Sequence, residues 1–171
     1  MTSRWTMTLV AAAVLLGFAA APASAQTFTL TANLTGANEP PAGLNTGAFG
    51  SATVVVDMTA RTVTYTVQVF NLPSGVTASH IHCGAVLTSG PTVVNFAPPL
   101  TASNDFTFTG TVRDTEFTLR PDQGIRSADD MFQAILGGNS YVNVHSTVNA
   151  GGEIRGQLLR QGVSTPGVPH E

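Results

Sequence analysis

Lysine is missing from the sequence, and its seven arginines face ten carboxylates. Charged residues make up only 10% of the chain. No basic cluster exists to neutralise phosphates, which argues against nucleic acid or an anionic membrane surface as a partner. There is one cysteine, Cys83. A chain with a single thiol cannot staple itself, so stability must come from an apolar core. Long apolar runs are also scarce. The one candidate, Leu9 to Ala21, is short for a membrane span.

That run follows Arg4 and is followed by Pro22 and the small residues Ala23-Ser24-Ala25. This is the pattern of a secretory signal peptide, residues 1–25, cut after Ala25; the alternative is an uncleaved anchor. Cleavage leaves about 146 residues, enough for one domain, and no membrane span. We assign 26–160 to that domain. Residues 161–171 are rich in Gly, Pro and Ser with no apolar face, so a disordered tail is expected there, and His170 within it is given no role. The expected location is secreted or periplasmic.

Thr, Val, Gly and Phe are plentiful, and their order spells strands. Phe28, Leu30, Ala32 and Leu34 alternate with polar residues. Residues 36–43, with two prolines and two glycines, break the pattern into a loop. There Glu39 is expected to be solvated. A second strand runs from Gly47 to Asp57, a tight turn follows, and Arg61 to Phe70 alternates most cleanly of all, making a hairpin. Shorter strands are expected around His80, over 92–96 and over 105–112, the last continuing through 115–119 after a bulge or turn. One helix is predicted, Ala128 to Leu136, with Ser127 as N-cap, Asp130 closing a capping box and Gly137-Gly138 as its stop. Two strands end the chain, Tyr141 to His145 and Glu153 to Leu159, joined by a tight loop over 149–152. About eight short strands with one late helix before the penultimate strand predict an all-β fold, a Greek-key β-sandwich or flattened barrel.

Chemistry concentrates in Ser79-His80-Ile81-His82-Cys83-Gly84. Side chains on a strand repeat every second residue, so His80 and His82 share one face, while Ile81 and Cys83 share the other. Cys83 is therefore expected to pack as a small buried hydrophobe. In Tyr141-Val142-Asn143-Val144-His145 the valines take one face and Tyr141, Asn143 and His145 the other. If these strands are neighbours, three imidazoles converge, a ligand set for copper or zinc. Asn143 is then a candidate partner fixing a ring's tautomer. The competing interpretation is a metal-free hydrogen-bonded cluster. Catalysis finds little support. Ser79 and Ser146 each adjoin a histidine in sequence and so point away from it. Glu153 and Arg155 share a strand face and are expected to form a surface ion pair. No guiding arginine is evident near the histidines.

Four motifs carry a resemblance: Leu34-Thr35-Gly36-Ala37-Asn38-Glu39-Pro40-Pro41, Ser79-His80-Ile81-His82-Cys83-Gly84, Gly90-Pro91-Thr92-Val93-Val94, and Tyr141-Val142-Asn143-Val144-His145-Ser146 leading into Gly152-Glu153-Ile154-Arg155-Gly156-Gln157-Leu158. In this order the chain resembles the CHRD (chordin-like) domain family. The resemblance implies an all-β extracytoplasmic domain and brings no settled activity. It is compatible with a non-catalytic binding or structural module whose partner is an unidentified protein or small ligand in the envelope. The alternative is a copper- or zinc-binding protein using His80, His82 and His145, with redox activity of the superoxide dismutase kind as its extension. A weaker likeness to the copper/zinc dismutase sandwich, with its own His-x-His strand, is at the level of fold and does not dictate function.

Overall fold

The computed structural model describes residues 26–99 and 103–161; the expected signal peptide and residues 162–171 lie outside the described residues. Among the described residues nine strands form: β1 (Thr27–Thr35), β2 (Phe49–Asp57), β3 (Thr62–Phe70), β4 (Val76–Cys83), β5 (Thr92–Asn95), β6 (Phe106–Arg113), β7 (Ser140–Ser146), β8 (Ile154–Gln157) and β9 (Leu159–Arg160). The α-helix α1 (Ala128–Leu136) precedes β7. All pairings are antiparallel, in the order β5-β4-β7-β8-β1-β2-β3-β6, with β9 returning to pair β1. The predicted last strand is thus divided at Leu158. The chain crosses the sheet three times, between β3 and β4, between β5 and β6 and between β6 and β7. Segments 117 residues apart in sequence become neighbours in this way, as with Asn38 and Arg155.

A single continuous sheet curls into a nearly closed barrel, the flattened-barrel form of the expectation. Its two ends, β5 and β6, are linked across the gap. The Tyr65 ring stacks on Phe96 at 3.8 Å, and its hydroxyl accepts from the Ala97 amide at 3.0 Å. This reach depends on Gly110, directly opposite Tyr65 in the ladder, where a Cβ would fall 2.3 Å from the Tyr65 hydroxyl. Beyond β6 the chain does not continue as a strand. Asp114–Glu116 form a 3-10 turn instead, with the Glu116 carboxylate accepting from the Arg113 amide. The Thr118 amide then donates to Val93 of β5.

Alternation decides what is buried. Leu30, Leu34, Val54, Val56, Val63, Val67, Ile81, Val142, Val144 and Ile154 all turn inward and are fully buried. At about 25 cal/mol per Å² of apolar surface removed from water, this continuous cluster is the main source of stability in a chain without a disulfide. α1 adds Met131, Phe132 and Ile135 to the same core. Its start is as predicted: Ser127 Oγ accepts from the Asp130 amide while the Asp130 carboxylate accepts from the Ser127 amide. Gly138, at φ 76°, follows its end. Among the described residues no helix is long and apolar enough to cross a membrane.

Candidate metal centre

The site lies on the outer face of β4, β7 and β8, the face that alternation reserves for polar side chains. β4 and β7 pair with His80 opposite Asn143 and His82 opposite Tyr141. A bulge between Val76 and Ala78 resets the register, so Ser79 and Ile81 turn inward and His80 and His82 outward. His145 lies one ladder step beyond Asn143 on the same side. The three imidazoles therefore meet, as the spacing requires. Each offers a nitrogen, and the three nitrogens lie within 4.8 Å of one another. Ring centroids are 4.9 Å apart for His80 and His145, 5.4 Å for His80 and His82 and 6.1 Å for His82 and His145.

Two backbone carbonyls set the tautomers. His82 Nδ1 stands 2.9 Å from Gly90 O, and His145 Nδ1 stands 2.9 Å from Ala150 O. A carbonyl only accepts, so each ring carries its proton on Nδ1 and leaves a lone pair on Nε2. His145 Nε2 faces His80 Nδ1 at 3.1 Å, where the His80 proton can bridge them. His82 Nε2 is buried and has no hydrogen-bond partner. Burial holds the His80 imidazole neutral, lowering its pKa from 6.5 to about 4, with His145 and His82 adding to the effect. Burial lowers that of His82 as well, against the opposing pull of Gly90 O, with further lowering from His145 and Arg155. Burial thus favours the neutral rings of His80 and His82, whose lone pairs ligation requires.

Several expectations need correcting. This face is not open: every residue of β7 is buried, the inward ones by the core and the outward ones by covering loops. Glu153 and Arg155 form no surface ion pair, being 0% and 2% exposed with separate partners. Glu153 accepts from Thr46 Oγ1 at 2.5 Å, Ser146 Oγ at 2.7 Å and Asn149 Nδ2 at 2.5 Å. Burial alone would raise its pKa, but these three hydrogen bonds together outweigh it and hold the carboxyl below its usual range. The Arg155 guanidinium lies 3.4 Å over the Tyr141 ring, so a cation does stand beside the site. Tyr141 in turn stacks on His82, with centroids 4.9 Å apart and planes 8° from parallel.

Asn143 does not set a tautomer. Its Nδ2 donates to Glu39 Oε1 at 2.5 Å, and its Oδ1 is buried without a partner. Glu39 is correspondingly not solvated. Burial raises its pKa from 4.5 to about 7 against the pull of Arg155 and Asn143, with Glu153 contributing in the same direction as burial. Local pattern carries no signal for these burials, because Glu39 meets Asn143 104 residues away, Arg155 meets Ala85 and Thr88 about 70 residues away, and Glu153 is covered with the help of Thr46, 107 residues away. Cys83 takes the opposite face as expected and packs against the core. Ser79 Oγ donates to Asn143 O and Ser146 Oγ to Glu153, so neither hydroxyl is turned to a neighbouring imidazole.

Three neutral nitrogen donors, with no thiolate or carboxylate among them, suit copper or zinc rather than magnesium or calcium. No curated protein and no solved structure matches the chain. The sequence model of the CHRD domain matches residues 30–158, most of the chain and every element from β1 to β8, and the protein belongs to the CHRD domain family.

Proposed function

We propose that this CHRD domain is an extracytoplasmic binding module whose ligand is a copper or zinc ion held by His80, His82 and His145. The observation that carries this reading is the buried, unpartnered Nε2 of His82. Leaving a buried acceptor unsatisfied costs about 1–3 kcal/mol, and a metal-free cluster of three neutral rings supplies no donor for it. An ion at the meeting point of the rings gives every lone pair a partner. Entry of the ion requires the His80 proton to leave the His145 contact, by transfer to Nε2 or by rotation of the ring. His82 and His145 need no change, since their Nδ1 protons already rest on carbonyls.

Export belongs to the same proposal. The CHRD assignment and the Ala23-Ser24-Ala25 pattern support secretion or a periplasmic location with cleavage after Ala25, so intact mass of the secreted protein is expected to begin at Gln26. The metal reading is tested by titrating untagged mature protein with Zn(II) and Cu(II). Wild type is expected to bind one equivalent and to melt higher, because a ligand held only by the folded state at 100 times its Kd adds about 2.7 kcal/mol. His82→Ala is expected to lose both effects. Equal stoichiometry and equal melting shifts in the two proteins would remove the proposal.

A further inference from the structure

We infer that Glu153 and Arg155 are positioning residues of the metal centre, each tying down one loop whose backbone carbonyl fixes the tautomer of one histidine. The inference rests on the metal-binding reading for its consequence, though not for its geometry. Glu153 and Arg155 stand two residues apart on the same face, just before β8 and within it. They lie beside β7 and under the two loops that cover it.

Arg155 serves His82. The loop over 84–90 is exposed from Ala85 to Ser89, and Leu87 within it sits at φ 58°. One backbone bond, Thr88 amide to Ala85 carbonyl, ties its tip internally. Arg155 Nη2 donates to Ala85 O at 3.0 Å and to Thr88 O at 2.9 Å, so one buried cation gathers both carbonyls. At the end of this loop Gly90 offers its carbonyl to His82 Nδ1 and its amide to the Tyr141 hydroxyl at 3.0 Å. The chain passes so close here that a Cβ on Gly90 would lie 1.5 Å from Cys83 O. The Tyr141 ring is itself covered by the Arg155 guanidinium. Since β7 lies between β4 and β8, Tyr141 stands between His82 and Arg155. Pro91 beside it is held to β4 by the Cys83 amide at 3.1 Å, while the loop before Gly90 and its Tyr141 contact lead back to Arg155.

Glu153 serves His145. Thr147, Val148, Ala150 and Gly151 are exposed, and Ala150 O accepts the His145 Nδ1 proton. Glu153 holds the two shoulders of this turn, Ser146 and Asn149, and fixes them to Thr46 from another part of the chain. Ser146 Oγ also accepts from the Asn149 amide, closing the turn on itself. A carboxylate that only accepts is what three converging donors require; an amide in its place offers one oxygen and two unwanted donors. Partners of metal-bound histidines typically change metal affinity by about 10–100-fold when removed.

The test reads imidazole tautomers by 15N NMR in metal-free full-length mature protein, and Zn(II) affinity beside them. Arg155→Met is expected to release the proton of His82 from Nδ1, giving mixed tautomers there, while His145 keeps its Nδ1 proton. Glu153→Gln is expected to do the reverse. Each is expected to weaken Zn(II) binding by about 10–100-fold. If Arg155→Met does not fold, Tyr141→Phe removes only the hydroxyl that accepts from the Gly90 amide and donates to the Gly90 carbonyl, and the same change at His82 is expected. Unchanged tautomers in these variants, or equal disturbance of both histidines in each, would overturn the inference. Because the tautomers are read without metal, a wild type that binds no zinc would sink the metal reading alone.

Discussion

Two outer faces of one barrel follow the same alternation and end in opposite environments. On β3 and β6, Thr64, Gln68, Thr107, Thr109 and Thr111 point away from the core into solvent. The contact between Thr64 and Thr111 Oγ1 atoms at 2.9 Å is a cross-strand pair at the surface. On β4, β7 and β8 the outward residues are histidines, tyrosine, asparagine and two charges, and most of them are buried under loops. The first face tolerates polar groups because water satisfies them. The second must satisfy each group internally, and it leaves His82 Nε2 and Asn143 Oδ1 without partners. A covered polar face is costly to build, and what it gains is a set of neutral, oriented imidazoles.

Substitutions on the two faces should therefore differ sharply from each other, and both from the core between them. Ile81→Ala removes a fully buried side chain directly behind the histidine pair. A loss of about 2–5 kcal/mol is expected, read as a lowered urea midpoint at constant slope. Asn143→Ala leaves Glu39 buried without its donor and should cost about 1–3 kcal/mol. Thr64→Ala on the open face should stay within about 0.5 kcal/mol. Equal effects of the last two would mean that the covering loops admit water freely.

A separate effect is expected with pH. The folded state raises the Glu39 pKa from 4.5 to about 7, so its contribution to stability is full below 4.5 and is lost as pH rises through about 7. His80 runs the other way: its pKa falls from 6.5 to about 4, so its contribution is present above 6.5 and is lost as pH falls through about 4. Between 4.5 and 6.5 the two slopes oppose. Glu39→Gln removes the first and keeps the second. Its melting temperature should fall more steeply than that of wild type on acidification through this window and hold better from pH 6 to 8. Parallel curves for the two proteins would contradict the burial of Glu39.

The frame was legible because period-two alternation and turn chemistry are local. Val63, Tyr65, Val67 and Val69 announce their inward face, and Ser127 with Asp130 announces α1. The meeting of the histidines was legible for the same reason, once β4 and β7 were taken as neighbours. What covers them was not. Alternation says that Glu153 and Arg155 point out of the barrel, and a surface ion pair follows if outward means wet. Glu153 meets Ser146 and Asn149 in the adjoining turn, but its third partner Thr46, and Ala85 and Thr88 for Arg155, come from distant segments that fold over β7. Glu39 was misjudged on the same ground, being in a Pro- and Gly-rich loop that returns to the site rather than leaving it. The continuation of β6 into 115–119 failed because Asp114 and Glu116 favour a turn, where the Glu116 carboxylate caps the Arg113 amide.

The most direct measurement is 15N NMR of the three imidazoles in mature protein as one equivalent of Zn(II) is added. His82 Nε2, from a free lone pair, and His145 Nε2, from its hydrogen bond with His80, should shift together to coordinated nitrogen, saturating at one equivalent. Both Nδ1 protons should remain on their carbonyls, and the His80–His145 hydrogen bond should disappear. A His82 Nε2 signal that stays where it was, with zinc present in excess, would contradict the claim that this covered face is a metal centre.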